Sequence, residues 1–137
     1  MAQPLTPLLA TDCVVFDSSN RILLIRRRNP PFEGLLALPG GFVEIGETVE
    51  QACKRELLEE TALEACRLKL VGVYSDPARD PRGHVCSVAY ASWISAGEAV
   101  AGDDALALEW VRDWRDADLA FDHGKIVSDA QVLMTGG

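Results

Sequence analysis

Residues 41–63, GFVEIGETVEQACKRELLEETAL, constrain this chain more than any other stretch. Gly41 is followed after five residues by Glu47, and after seven more by Arg55-Glu56-Leu57-Leu58-Glu59-Glu60. A helix through this run sets Glu56, Glu59 and Glu60 at i, i+3 and i+4, where side chains are neighbours. Like charges at that spacing repel, so the helix gains from them only if a cation stands between them. Val49, Ala52, Cys53, Glu56 and Glu60 form one helical stripe that begins apolar and ends in carboxylates. Glutamates in line with an apolar stripe are partly shielded from water and need a positive partner. Arg55 can neutralise one of the three, so the cluster reads as a divalent-metal site. Leu57 and Leu58 leave the stripe, which predicts apolar neighbours on more than one side of the helix.

With those residues in view, Gly41 to Leu63 resembles the Nudix signature, the metal-binding loop and helix of hydrolases that act on nucleoside diphosphates linked to another group. One position departs: the family usually has glycine where this chain has Ala62. A helix C-terminus often turns left-handed, where glycine is favoured, and alanine there costs about 1 kcal/mol. The resemblance implies an α/β fold, an α/β/α sandwich on a mixed β-sheet. It also implies that Glu56, Glu59 and Glu60 hold one to three metal ions together with the Gly40 carbonyl. Glu47 and Arg55 would pair to brace the loop against the helix, with Gly41 a structural position of the motif. An all-oxygen ligand set suits Mg²⁺ or Mn²⁺ rather than zinc. The carboxylate that takes the proton of the attacking water stays open among Glu59 and Glu60 on the helix and, farther along, Glu109 or the acidic turn Asp103-Asp104.

The 137 residues suit a single domain spanning 1–137. Apolar runs of β-branched residues predict strands at 11–17 and 21–27, joined as a hairpin, with further strands near 67–75, 84–94 and 105–112. Leu35 to Pro39 leads as a short extended piece into a Gly40-Gly41 turn. The acidic helix starts at an N-cap, Thr48, and a last helix covers about 122–134. The net charge of −8 argues against a long polyanion as partner. No apolar run is long enough to cross a bilayer, and the first residues lack a basic secretory n-region. Cys13, Cys53, Cys66 and Cys86 show no CxxC pairing and read as reduced thiols, which points to a cytoplasmic setting. The expected partner is a small phosphorylated nucleotide, without nucleic acid or membrane, with a homodimer left open.

A second informative segment is 75–84, SDPARDPRGH. Two Asp-Pro steps stiffen it, and Arg79 and Arg82 offer planar forks for phosphate. The competing reading is a rigid loop whose charges pair with one another. This segment, with Asn29-Pro30-Pro31-Phe32 and Ala120-Phe121-Asp122-His123, is similar to ADP-ribose pyrophosphatases of the Nudix superfamily. Arg27 alternates away from Arg26 and Arg28 along its strand, and one of the three is expected to touch a phosphate. Phe32 and Phe121 are candidates to stack on a base. Trp93, Trp110 and Trp114 read as core or interface, and His84 and His123 as structural. The expected function is metal-dependent cleavage of ADP-ribose to AMP and ribose 5-phosphate. The alternatives are a sanitising hydrolase of oxidised purine triphosphates and a non-catalytic ADP-ribose sensor.

Overall fold

A computed structural model describes residues 5–65, 67–94, 102 and 105–135. Its elements run β1 (Leu8–Phe16), β2 (Ile22–Arg27), β3 (Leu36–Ala37), β4 (Gly40–Phe42), α1 (Val49–Thr61), β5 (Lys69–Tyr74), β6 (Val85–Trp93), β7 (Ala105–Val111), a 3-10 turn at Trp114–Asp116 and α2 (His123–Thr135). The strands form one mixed sheet. β1 lies parallel to β6 from Leu8↔Val85 to Phe16↔Trp93. It runs antiparallel to β2 and β4, β7 flanks β2, and β5 lies outside β6.

Alternation along the two innermost strands divides the core. Val14, Phe16, Ile22 and Leu24 pack with Ile126, Val127 and Ala130 of α2. Cys13, Val15 and Leu23 pack with Cys53 and Leu57 of α1. A helix therefore covers each face of the sheet, and β1 is buried from Thr11 to Phe16. Burial on both faces is why 11–17 reads as a continuous apolar run rather than an alternating one.

Three expectations need correction. β1 begins at Leu8 because parallel pairing to β6 satisfies the backbone of 8–10 although Leu8 and Leu9 are exposed. Gly40-Gly41 is not a free turn: Gly40 to Phe42 pair with Asp12 to Ala10. The preceding residues 36–37 pair with β2, so this segment passes from one strand of the hairpin to the other. Leu58 is 46% exposed, and of the two leucines only Leu57 packs into the core.

Ala62 does adopt the left-handed conformation, at φ 63° and ψ 10°, as the C-cap of α1. Thr48 is the N-cap, with a reciprocal box: Gln51 N–H donates to Thr48 Oγ1 at 3.0 Å, and Thr48 N–H donates to Gln51 Oε1 at 2.8 Å. Trp114 is buried, whereas Trp93 is 48% exposed and rests against Phe16 at 5.1 Å. Cys13 and Cys53 are buried free thiols and Cys86 is half-buried. Cys66 and the Asp103-Asp104 turn lie outside the described residues. No helix among the described residues is long and apolar enough to cross a membrane.

Candidate active site

The capped start of α1 sets the rotation of the helix, and this aims its carboxylates at β4. Arg55 gathers most of them. Its Nε donates to Glu47 Oε2 at 2.7 Å and its Nη2 to Glu47 Oε1 at 3.0 Å. Nη2 also donates to the Phe42 carbonyl at 3.1 Å, while Nη1 reaches Glu56 Oε1 at 2.9 Å and Glu59 Oε2 at 3.3 Å. The sequence reading had Arg55 neutralise one of Glu56, Glu59 and Glu60 and pair with Glu47; it pairs with Glu47 and with two of the three, Glu56 and Glu59, and Glu44 stands 3.9 Å away. No group of three His, Cys, Asp or Glu side chains among the described residues is already gathered as a metal cage; Arg55 stands among Glu47, Glu56 and Glu59. The Glu47 carboxyl is held below its usual range by its hydrogen bond from Arg55.

Glu60 is the residue Arg55 does not reach. It is 9% exposed. Its Oε1 accepts from Gly40 N–H at 3.3 Å, and its Oε2 is buried without a hydrogen-bond partner. Burial, the hydrogen bond with Glu56 and the Glu56 charge together push its carboxyl up to about 9. Glu56 and Glu60 lie one turn apart on the helix, and the Glu56 charge disfavours ionisation of Glu60. Gly41 leaves room for this pair: a Cβ there would come 2.5 Å from Glu56 Cδ. A Cβ on Gly40 would meet Thr11 O at 2.2 Å, so neither glycine tolerates a side chain without a shift.

These residues border a cavity of about 380 Å³. Glu56 and Glu60 face it, whereas Glu59, 58% exposed at its side chain, is not among the lining residues. Arg27, Arg28, Arg79, Arg82 and Phe121 also line it. Strict alternation would put Arg27 and Arg28 on opposite faces. The β2–β7 register shifts between Arg26 and Arg27, and Arg28 lies past the end of β2, where alternation no longer applies; both line the cavity. Arg27 has no carboxylate within ion-pair distance among the described residues. Its Nε donates to the Pro31 carbonyl at 2.7 Å, and its guanidinium lies 5.1 Å from the Phe121 ring centre.

Arg79 and Arg82 are engaged differently from the open forks expected. Arg79 is bidentate on Asp122 at 2.9 and 2.6 Å, with its side chain 5% exposed. Arg82 pairs with Asp80 at 2.7 Å, which is the self-paired loop of the competing reading, and its guanidinium also lies 5.7 Å from Phe121. Phe32 packs edge-on against Phe121 with centroids 4.8 Å apart and is absent from the cavity wall. Both phenylalanines hold positive φ, 60° and 53°, the kind of backbone strain that gathers at functional sites. Glu109 is drawn away: Arg26 binds its Oε2 at 2.6 Å, and it does not line the cavity.

Sequence reasoning passed over Asp12. It is 7% exposed on β1, lines the cavity, and receives Ser87 Oγ–H at 2.5 Å. Burial raises its carboxyl, but His123, Ser87 and Arg79 outweigh that and hold it below its usual range. Its signal was available as one charged residue in an otherwise apolar central strand. Asp122 and His123 lay inside a segment noted only for its resemblance.

The family follows from this site and from direct comparison. Residues 6–131 match the NUDIX domain family, and the chain belongs to it. It is 51% identical over 125 residues to an ADP-ribose pyrophosphatase of Methanocaldococcus jannaschii, covering 91% of this chain and 73% of that one. Family and likeness together make it a Nudix hydrolase in class. It is 33% identical to the ADPR responsive transcriptional repressor NtrR of Acinetobacter baylyi, covering 91% of this chain but about half, 53%, of the repressor. Among solved structures, the NUDIX domain of Shewanella oneidensis NrtR complexed with ADP ribose superposes with a TM-score of 0.89 at 30% identity. That match covers 95% of this chain and 90% of the other.

Proposed function

We propose that this chain is a metal-dependent ADP-ribose pyrophosphatase, splitting the pyrophosphate of ADP-ribose with water into AMP and ribose 5-phosphate. The observation that carries the chemistry is buried Glu60, with one unpartnered oxygen, beside half-buried Glu56 in a cavity also lined by Arg27 and Arg28. The choice of substrate rests on the pyrophosphatase relative.

The donor set fits Mg²⁺ or Mn²⁺. Its atoms are hard oxygens, and Glu60 Oε2 lacks a partner on the same cavity wall as Glu56. Glu56, Glu59, Glu60 and the Gly40 carbonyl are the residues that would hold it. When bound, such a cation supplies charge neutralisation of the pyrophosphate and a more acidic water. Glu59 has to leave Arg55 to join the set; at 58% exposure it is free to turn. Arg55 keeps Glu47 and the Phe42 carbonyl, and so holds the loop on the helix. Of this set Glu60, buried at the cavity wall, is the proposed acceptor for the proton of the attacking water, through the oxygen that does not hold the cation. Arg27, without an acid of its own, balances the substrate's phosphates.

The repressor relative favours one other reading, binding of ADP-ribose without cleavage. Phosphate-product analysis with Mg²⁺ on ADP-ribose, NADH, diadenosine polyphosphates, dGTP and oxidised dGTP decides. ADP-ribose is expected to give the highest kcat/KM. Oxidised dGTP better by tenfold would replace the assignment with a sanitising hydrolase. A raised melting temperature with ADP-ribose and no cleavage of any compound would replace it with a sensor.

A further inference from the structure

His123 opens α2, is 4% exposed and lines the same cavity. Leu38 N–H donates to its Nδ1 at 3.0 Å. A backbone amide can only donate, so Nδ1 presents its lone pair and the proton of the neutral ring sits on Nε2. The backbone leading into Gly40 thus selects the tautomer. Phe121, with its centroid 5.2 Å away, packs beside the ring. Nε2 stands 3.3 Å from Asp12 Oδ1, long against roughly 2.7–2.9 Å for a hydrogen bond to a charged oxygen. Asp12 has a closer donor in Ser87 Oγ at 2.5 Å. The Nε2–H is therefore only partly used inside the protein. It is also close to the acidic pair: Asp12 is the β1 partner of Gly40, whose N–H binds Glu60.

We propose that His123 Nε2–H donates a hydrogen bond to a phosphate oxygen of the bound pyrophosphate. This makes His123 a substrate-facing residue rather than only a fold anchor, and it rests on the pyrophosphatase reading above. The pairing with Leu38 presents a neutral donor, which approaches the phosphate without competing for Glu60 as a further arginine would. Asp12 lies on the Nε2 side of the ring, 3.3 Å away, and is a positioning residue that draws Nε2 toward the cavity both residues line.

The anchoring role and the donor role separate in two variants. In His123→Asn, the amide oxygen can accept from Leu38 N–H where Nδ1 did, but no group replaces Nε2–H. His123→Ala loses both. The expected result is that Asn melts close to wild type while kcat/KM for ADP-ribose falls about 10- to 100-fold, and that Ala loses stability as well. An Asn variant with wild-type kcat/KM would reduce His123 to an anchor and overturn the proposal. A second readout does not depend on the variants folding. The chain has 2 histidines, so ¹⁵N spectra of the imidazoles are simple to assign. The free protein should show the Nε2–H tautomer for His123, and inorganic pyrophosphate with Mg²⁺ should shift Nε2 far more than Nδ1. An Nδ1–H tautomer, or an Nε2 signal unmoved at saturating pyrophosphate, also overturns it. If the wild type cleaves none of the panel, the pyrophosphatase assignment fails on its own, and the pyrophosphate titration still decides the role of His123.

Discussion

Replacing Glu60 by Gln should stabilise the metal-free protein and abolish its turnover. The amide copies the protonated acid: its oxygen can accept from Gly40 N–H, and its NH₂ can donate to Glu56. In the wild type, burial and Glu56 raise the Glu60 carboxyl from 4.5 to about 9. A group whose folded value lies above its unfolded one contributes stability that is complete below pH 4.5 and is lost as the pH rises towards 9. At pH 8 the loss from a single group would be 1.36 kcal/mol per unit over about 3.5 units, or roughly 5 kcal/mol. The Glu56 charge supplies part of that shift, so part of the loss belongs to the interaction between the two acids rather than to Glu60 alone, and roughly 2–4 kcal/mol is the figure expected for Gln. For a chain of this length that raises the melting temperature by about 7–14 °C. The assay is thermal denaturation in EDTA at pH 5 and at pH 8. The variant should match wild type at pH 5 and exceed it at pH 8, while turnover with saturating Mg²⁺ falls by orders of magnitude. Equal melting temperatures at pH 8 would mean that Glu60 is ionised without strain. Near-normal turnover would remove it from the ligand set.

Gly41→Ala forces a Cβ onto the Glu56 carboxylate; it should weaken Mg²⁺ binding at least tenfold by calorimetry, and unchanged affinity would clear Glu56 of that role. Ala62→Gly relieves a left-handed alanine, and after the entropy glycine adds to the unfolded chain it should gain about 0.5–1 kcal/mol, or about 2–3 °C in melting temperature; a lower melting temperature would contradict the conformation. Arg79→Ala leaves Asp122 and Asp12 without their cation and should cost about 3 kcal/mol of stability. Arg27→Ala should instead raise KM for ADP-ribose at near-constant melting temperature, and the reverse pattern would exchange the roles assigned to these two arginines.

What the sequence made legible was what lies along one helix. Glu56, Glu59 and Glu60 are separated by fixed fractions of a turn, so their crowding follows from helical geometry alone. Thr48 as N-cap and Ala62 as a left-handed C-cap are likewise local, since capping depends on residues within one turn. The strands 21–27 and 84–94 were legible because both are rich in apolar and β-branched residues over a strand's length. Strand β4 was not, because Gly40 and Gly41 carry no side-chain pattern; what makes them a strand is their fit against Thr11 and Asp12.

The arginines show where such reading stops. A planar fork announces that an anion will meet it but not which one, and the competing anions here are distant in sequence. Asp122 stands 43 residues beyond Arg79, and Glu109 stands 83 beyond Arg26. Only the fold decides that these two arginines are consumed by the protein while Arg27, beside an irregularity in one ladder, keeps its charge for the cavity. The same logic separates the histidines. His84 spends its ring on the Ser75 carbonyl at an exposed loop. His123 is turned by a backbone amide 85 residues earlier in the chain, so its remaining N–H is aimed by the segment that also carries Gly40. Leu38, which holds the His123 ring, and Gly40, which binds Glu60, thus lie in one short stretch, and a change there should disturb both together.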